Sequence, residues 1–345
     1  MQRARSGYRD HRNAAASASP IFMSEERRQP SGLLQHGGGE WRFVTEVRRR
    51  ATKGFEVRHV PGKGQGVFAM RDFAIGEDLL TELPLLSWPN DITMTDKNIE
   101  SVVEAELVRA GPRTRAMYES LSQASMHGGT KTAFGIWMTN ALPSIEGGGH
   151  SVYSDACRLN HSCLPNVHHS FRKPSRAQHL RTIAKIRRGD ELLLCYIDAD
   201  EMKRSQRQAM LRRKFGFACE CKICSLDGSE RERSDARRDR MLALRTHRDS
   251  GACKSVAETV GTVEERLKLL GREGLSFVHG HADMMVAMEA CRSGGDMRAA
   301  SRWALRAAEC VRVGAGEDST IHQQLKQLAS LLMVNTGIDA SRYEF

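Results

Sequence analysis

No cysteine precedes Cys157 in this chain of 345 residues, which excludes a cysteine-ligated metal module from everything before it. No apolar run approaches the ~20 residues that a membrane-spanning helix requires. The first 20 residues hold no apolar block either, so a secretory signal is not expected and a soluble intracellular protein is. Clustered Asp, Glu and His of the kind used in general-base catalysis are also missing. The nine cysteines are odd in number and are not spread as a disulfide framework.

What is present suits a packed protein. Hydrophobic residues make up 40% and charged residues 27% of the chain, and its length allows one mid-sized domain and a smaller one. The net charge of +10 is uneven: residues 1–58 hold 12 Lys/Arg against 6 Asp/Glu, whereas residues 226–345 hold 18 of each. The basic excess therefore sits in a leader, read as solvated over 1–54, and direct nucleic-acid binding is not expected. Residues 1–22, rich in Arg, Ala and Ser with the single acid Asp10, also fit a mitochondrial presequence.

From Phe55 to Trp88 short apolar runs alternate with glycine turns, which predicts strands. Residues 95–142 change to helical spacing at Val102, Val103, Leu107 and Ala110, stopped by Gly111–Pro112. Strand patterning returns from Tyr153 to Asp198, with a buried run over Leu192–Ile197. The basic run Lys203, Arg204, Arg207, Arg212, Arg213 and Lys214 reads as the solvated face of a helix, or as a surface that steers an acidic partner. Residues 227–240 suit a linker or a helix start. Beyond them, Val256, Val260, Val263, Leu267 and Leu270 form one apolar face, as do Trp303, Ala307 and Val311, and Leu325, Leu328, Leu331 and Leu332. This predicts an all-α region over 227–345. It shows no clean repeat period, so a TPR-like stack of helix pairs is one form it can take and not the only one.

Cys219-x-Cys221-x2-Cys224 places three thiols within six residues, on a segment too short to pack a core. It reads as a zinc site that needs a fourth ligand from elsewhere, or as unbound buried thiols. The second motif is Arg158-Leu159-Asn160-His161-Ser162-Cys163-Leu164-Pro165-Asn166. Some thirty residues later come Gly189-Asp190-Glu191, an apolar run and Tyr196-Ile197-Asp198. Together these resemble the SET-domain lysine methyltransferases over residues ~58–225. The opening Gly62-Lys63-Gly64-Gln65-Gly66-Val67-Phe68-Ala69 is similar to that family's N-terminal glycine loop. The chain most resembles the branch in which a MYND finger interrupts the SET domain and a helical domain follows. The lack of early cysteine rules the finger out here.

The resemblance implies an α+β fold: a SET domain of short strands over 55–205 with a helical insert at 95–142, a post-SET zinc tail over 206–226, and the helical region. It also implies S-adenosylmethionine as cofactor and a protein substrate with an exposed lysine, handled by a monomer in the nucleus, the cytoplasm or both. Cofactor binding falls to Lys63, Gly64, Gln65, Gly66, Asn140, Asn160, His161, Tyr196 and Phe217, with Tyr196 also the catalytic residue. Cys163 supplies the fourth zinc ligand beside Cys219, Cys221 and Cys224. On residue chemistry alone, Gly64-x-Gly66 is an ordinary tight turn, His161 a hydrogen-bonded core histidine and Tyr196 a strand-end ring. Two other readings compete with the enzyme: a catalytically inactive scaffold acting through its helical C-terminus, and a zinc-dependent DNA-binding protein.

Overall fold

A computed structural model describes residues 50–51, 54–88, 96–145, 149–172, 175–275 and 277–334. Most of the expected leader, Arg48 and Arg49 included, lies outside the described residues. Strand pairing nonetheless starts inside that segment, where β1 (Arg50–Ala51) pairs with Leu80 and Thr81.

Two glycines shape the first hairpin. Strands β2 (Phe55–Val60) and β3 (Gly64–Ala69) run antiparallel around Pro61–Lys63. Gly62 and Gly64 take φ of 75° and 79°, the left-handed region that a side chain would strain. Strand β4 (Asp78–Glu82) buries Leu79 and Leu80, and β5 (Leu86–Trp88) leads towards the insert.

The insert holds α1 (Asp96–Ala110), α2 (Pro112–Glu119) and α3 (Ala133–Asn140). Gly111, at φ 88°, breaks the first helix, and Pro112 opens the second, where a missing N–H costs nothing. Val103, Leu107, Tyr118, Leu121, Ile136 and Trp137 give the insert its own small core. Its last helix ends at Asn140, and after it β6 (Leu142–Ile145) pairs with β7 (Gly149–Val152), which in turn pairs with β5.

Four more strands complete the β region: β8 (Asn160–His161), β9 (Val167–Arg172), β10 (Ala177–Thr182) and β11 (Glu191–Leu194). The sheets run β1-β4-β10-β9, β2-β3-β11-β8 and β5-β7-β6. Strand β10 is buried at all six positions, because strands flank it on both sides and α8 (Met297–Ala315) packs against it. The β8–β11 pair is parallel, Leu193 opposite Asn160 and Leu194 opposite His161. Asn166 locks it: its Oδ1 accepts the Leu193 N–H at 2.7 Å and its Nδ2 donates to the Glu191 carbonyl at 2.8 Å. The strand predicted over Leu192–Ile197 thus stops at Leu194, and Cys195–Ile197 leave the ladder.

Helix α4 (Arg204–Phe215) follows, then α5 (Gly228–Asp249), α6 (Val256–Arg272), α7 (His281–Ser293), α8 and α9 (Thr320–Val334). The charged stretch at 227–240 is the start of α5. From α5 to α9 each helix packs on the next: α6–α9 share a core that includes Val263, Ala287, Trp303, Ala307, Leu325 and Leu332, and α5 packs Met241 and Leu244 against Leu269, Leu270 and Leu275. Leu331 departs from its expected stripe, at 57% exposed on the outer side of α9. None of the described helices is long and apolar enough to cross a membrane.

Buried ions join the helices to the segment after β11. Arg238 is fully buried, paired with Glu273 at 2.8 Å, and it donates to the carbonyls of Ala199 and Asp200. Arg266 bridges Asp283 and Glu201, and His279 lies 2.8 Å from the Asp200 carboxylate.

Candidate functional site

The hairpin turn, the end of α3, β8, the segment after β11 and the segment after α4 converge on one cavity of about 670 Å³. Lys63, Gly64, Gln65, Asn140, Asn160, His161, Tyr196 and Phe217 all line it. The sequence-predicted residues of five distant segments therefore meet on one wall system.

A carboxylate organises one side. Glu191 Oε1 accepts from Asn160 Nδ2 at 2.7 Å, and Glu191 Oε2 lies 3.9 Å from Lys63 Nζ. This aims the Asn160 amide and leaves its oxygen as an acceptor. Gly66 stands behind this wall. A Cβ on it would come within 2.7 Å of Glu191 Oε1, 2.8 Å of Val60 Cγ2 and 3.0 Å of Asn160 Nδ2. Gly66→Ala is expected to push Asn160 and Glu191 apart, lowering both the melting temperature and ligand affinity at this cavity. Thermal unfolding and calorimetry on the same preparation check it, and a variant with wild-type values in both would show that the wall yields freely.

The opposite side comes from the insert. Asn140 is buried, and its Nδ2 donates to the carbonyls of Ser122 and Ile136, each at 2.7 Å. Its Oδ1 is thereby left as an acceptor. Arg158 closes the rim: Nε donates to Ser154 O at 2.8 Å, Nη2 to Ser120 Oγ at 2.6 Å, and Nη1 meets Gln65 Oε1. Sequence reasoning gave no role to Arg158 or Glu191. Their only signals were their places at the head of the Asn-His motif and at the end of the Gly-Asp-Glu turn.

Tyr196 sits at the inner end. Its hydroxyl donates to the Leu159 carbonyl at 2.5 Å, and its backbone N–H donates to His161 Nδ1 at 3.0 Å. Burial, reinforced by Cys157 and Glu191, pushes the phenol pKa well above its ordinary value, so the hydroxyl stays protonated. Burial pushes His161 down to about 4, so its ring is neutral at pH 7. The Phe215 ring centroid lies 5.1 Å from that of Tyr196, and the Phe217 centroid 6.0 Å from that of His161. Gly216, at φ 76°, ends α4 in the left-handed conformation and turns Phe217 back to the cavity.

Just behind these rings the sulfurs of Cys163, Cys219, Cys221 and Cys224 lie within 4.8 Å of one another. Cys163 Sγ is 4.0 Å from Cys219 Sγ and 3.6 Å from Cys224 Sγ. A tetrahedral ion with bonds of ~2.3 Å sets its ligand sulfurs about 3.8 Å apart, so this spacing fits four-coordinate metal. Gln208 clamps the loop, accepting the Cys219 N–H at 3.0 Å and donating to its carbonyl at 2.6 Å. The basic run on α4 is not one solvated face. Lys203 pairs with Asp239, Arg204 donates to Cys224 O and Arg207 is fully buried, while Arg212, Arg213 and Lys214 are exposed.

The SET domain family model matches residues 64–197, from the hairpin to the segment bearing Tyr196. The chain carries a SET domain. Relatives agree. A histone-lysine N-methyltransferase set5 of Schizosaccharomyces pombe is 27% identical over 78% of this chain and 81% of its own length. The Arabidopsis thaliana histone-lysine N-methyltransferase ATXR4 is 40% identical over 24% of this chain and 26% of its own. The human protein-lysine N-trimethyltransferase SMYD5 is 32% identical over 27% of this chain and 22% of its own. This chain thus aligns with most of the first relative and about a quarter of the other two. The cavity lies where the ends of the SET domain's matched stretch meet, and the four-cysteine cluster joins one residue inside that stretch to three beyond it.

Proposed function

We propose that this chain transfers methyl groups from S-adenosylmethionine to lysine side chains of proteins. The observation that carries the reading is the single cavity in which the hairpin turn, Asn140, Asn160–His161, Tyr196 and Phe217 meet. Its volume lies within the range of roughly 300–1,000 Å³ typical of small-molecule sites. Its chemistry suits an amino-acid zwitterion beside aromatic rings. Lys63 and Arg158 offer cations to a carboxylate, the oxygens of Asn140 and Asn160 offer acceptors to an ammonium, and Phe217 offers a ring face.

S-Adenosylmethionine supplies the methyl group as a sulfonium substituent. The protein's own task is to hold a lysine amine neutral and aligned. A free lysine has a pKa of ~10.4, so deprotonating it at pH 7.4 costs about 4 kcal/mol. The apolar rings of Tyr196, Phe215 and Phe217 reduce that cost by disfavouring the ammonium. Tyr196, protonated and donating to Leu159 O, keeps its oxygen lone pairs free to accept from the amine N–H and orient it, rather than to remove a proton. Alignment of this kind is worth on the order of 7–11 kcal/mol in intramolecular models.

The four cysteines would hold a structural zinc ion, since a site with four protein ligands keeps no open position. Its role is to fix Phe215–Phe217 and Ala218–Cys221 against the cavity. We propose likewise that it acts as a monomer on proteins in the nucleus or cytoplasm. Calorimetry with S-adenosylmethionine tests it: wild type should bind, and Asn160→Ala should lose most of that affinity while remaining folded. No binding by folded, zinc-loaded wild type would favour the scaffold reading, in which the helices α5–α9 carry the function.

A further inference from the structure

Helix α4 places one guanidinium where no carboxylate meets it. Arg207 is fully buried, and among the described residues no acid pairs with it. Its Nη1 donates to Met202 O at 2.5 Å, its Nη2 lies 3.7 Å from Cys224 Sγ, and its buried Nε has no protein partner. The other deeply buried arginines behave differently: Arg238 meets Glu273, Arg266 meets Asp283 and Glu201, and Arg181 meets Asp78. Buried cations persist where a counter-charge offsets their desolvation, and one left alone is strongly destabilising. Among the described residues, the candidate within reach of Arg207 is sulfur.

Four neutral thiols would not serve. Four thiolates on one divalent ion carry a net charge of two negatives, spread over sulfurs that lie against this guanidinium. We infer that Arg207 is the counter-ion of a divalent-metal tetrathiolate at Cys163, Cys219, Cys221 and Cys224, and that its charge sets how tightly the metal is held. This rests on the zinc reading given above and deepens it. His161 assists from the opposite side. Because its Nδ1 accepts the Tyr196 N–H, the ring hydrogen is on Nε2, which lies 3.2 Å from Cys163 Sγ and donates to it. Two sulfurs of the cluster therefore each receive a buried N–H, one of them from a permanent cation. Groups that hydrogen-bond to metal ligands commonly change metal affinity by 10–100-fold when removed.

The neighbouring cations on α4 serve as controls. Arg204 reaches the Cys224 carbonyl and not its sulfur, and Arg213 is exposed. A role in packing alone would be met by any side chain of similar volume, whereas a role as counter-ion demands positive charge.

The test uses the full-length chain loaded with zinc and titrated against a chromophoric chelator. Wild type should carry one zinc per chain, and a wild type that carries none would sink the zinc reading and this inference together. Given a loaded wild type, Arg207→Met should bind zinc about 10–100-fold more weakly, while Arg207→Lys and Arg213→Gln stay close to wild type. With cobalt(II) in place of zinc, the sulfur-to-metal charge-transfer band of Arg207→Met should shift, a signature that loss of packing leaves alone. Wild-type zinc affinity and an unshifted band in Arg207→Met would overturn the inference. So would an Arg207→Lys protein as weak as Arg207→Met, because shape rather than charge would then decide. If Arg207→Met does not fold, Arg207→Lys against the neutral Arg207→Gln answers the same question by the same two readouts.

Discussion

Stripping the metal with a chelator, or removing one ligand as Cys221→Ser, is expected to abolish cofactor binding and methyl transfer together. The reason lies in where the ligands sit. Cys219 and Cys221 form part of the cavity wall, as do Phe217, Ala218 and Glu220 between and beside them. That stretch has no regular secondary structure of its own, and its order rests on the cluster, on Gln208 and on the left-handed Gly216. Apparent zinc-binding free energies of roughly 10–16 kcal/mol in small zinc peptides show how much such a segment forfeits without its ion. Affinity for S-adenosylmethionine should fall below detection by calorimetry. The far-ultraviolet circular dichroism of α6–α9 should change little, because those helices pack around a separate core. A zinc-free preparation with full activity would contradict this, and a wholesale loss of helix signal would show that the metal supports more than the tail.

Tyr196→Phe is expected to separate binding from chemistry. The variant keeps the ring that packs on Phe215 and His161 and loses only the hydroxyl bound to Leu159 O. Cofactor affinity should stay near wild type. The single-turnover rate of methyl transfer should fall on the order of 10²-fold, the scale that ~1 Å of misalignment costs. Because the wild-type phenol stays protonated, the rise of rate with pH should persist in the variant, displaced downwards and unchanged in shape. That slope then belongs to the substrate amine. A variant with undiminished turnover would remove Tyr196 from the reaction and pass the aligning role to its neighbours.

Short-range spacing made the essentials legible. Asn160, His161 and Cys163 are close in sequence, as are Cys219, Cys221 and Cys224, and the structure brings the two groups together around one cavity. What escaped the sequence depends on partners far along the chain. Glu191 matters because Asn160 and Lys63 face it, and no local pattern announces that. The apolar run Leu192–Ile197 reads the same whether it continues as a strand or not. It stops at Leu194 because the Tyr196 N–H is claimed by a histidine side chain. Arg207 belongs to a run of cations that composition assigns to solvent, yet helical rotation turns this one inward against the cysteines. Leu331 fits an apolar stripe by spacing, but α9 is the last described helix, and no further described helix covers its outer side.

The pairing of Cys163 with Cys219 and Cys224, 56 and 61 residues further on, bears on the order of events during synthesis. The hairpin turn and the Asn-His motif emerge from the ribosome long before the segments that complete their wall. Until the stretch through Cys224 is available, Cys163 has no distal cysteines to meet, and the cavity has no lid of rings. A nascent chain halted before that point would present Tyr196 and its neighbours to solvent in an open half-site. Closing so long a loop late, against strands already assembled, makes this a site of non-local contacts, and such contacts form slowly. On the proposed zinc reading, metal supply during translation, and not only in the finished protein, would govern how much of the chain reaches its working form.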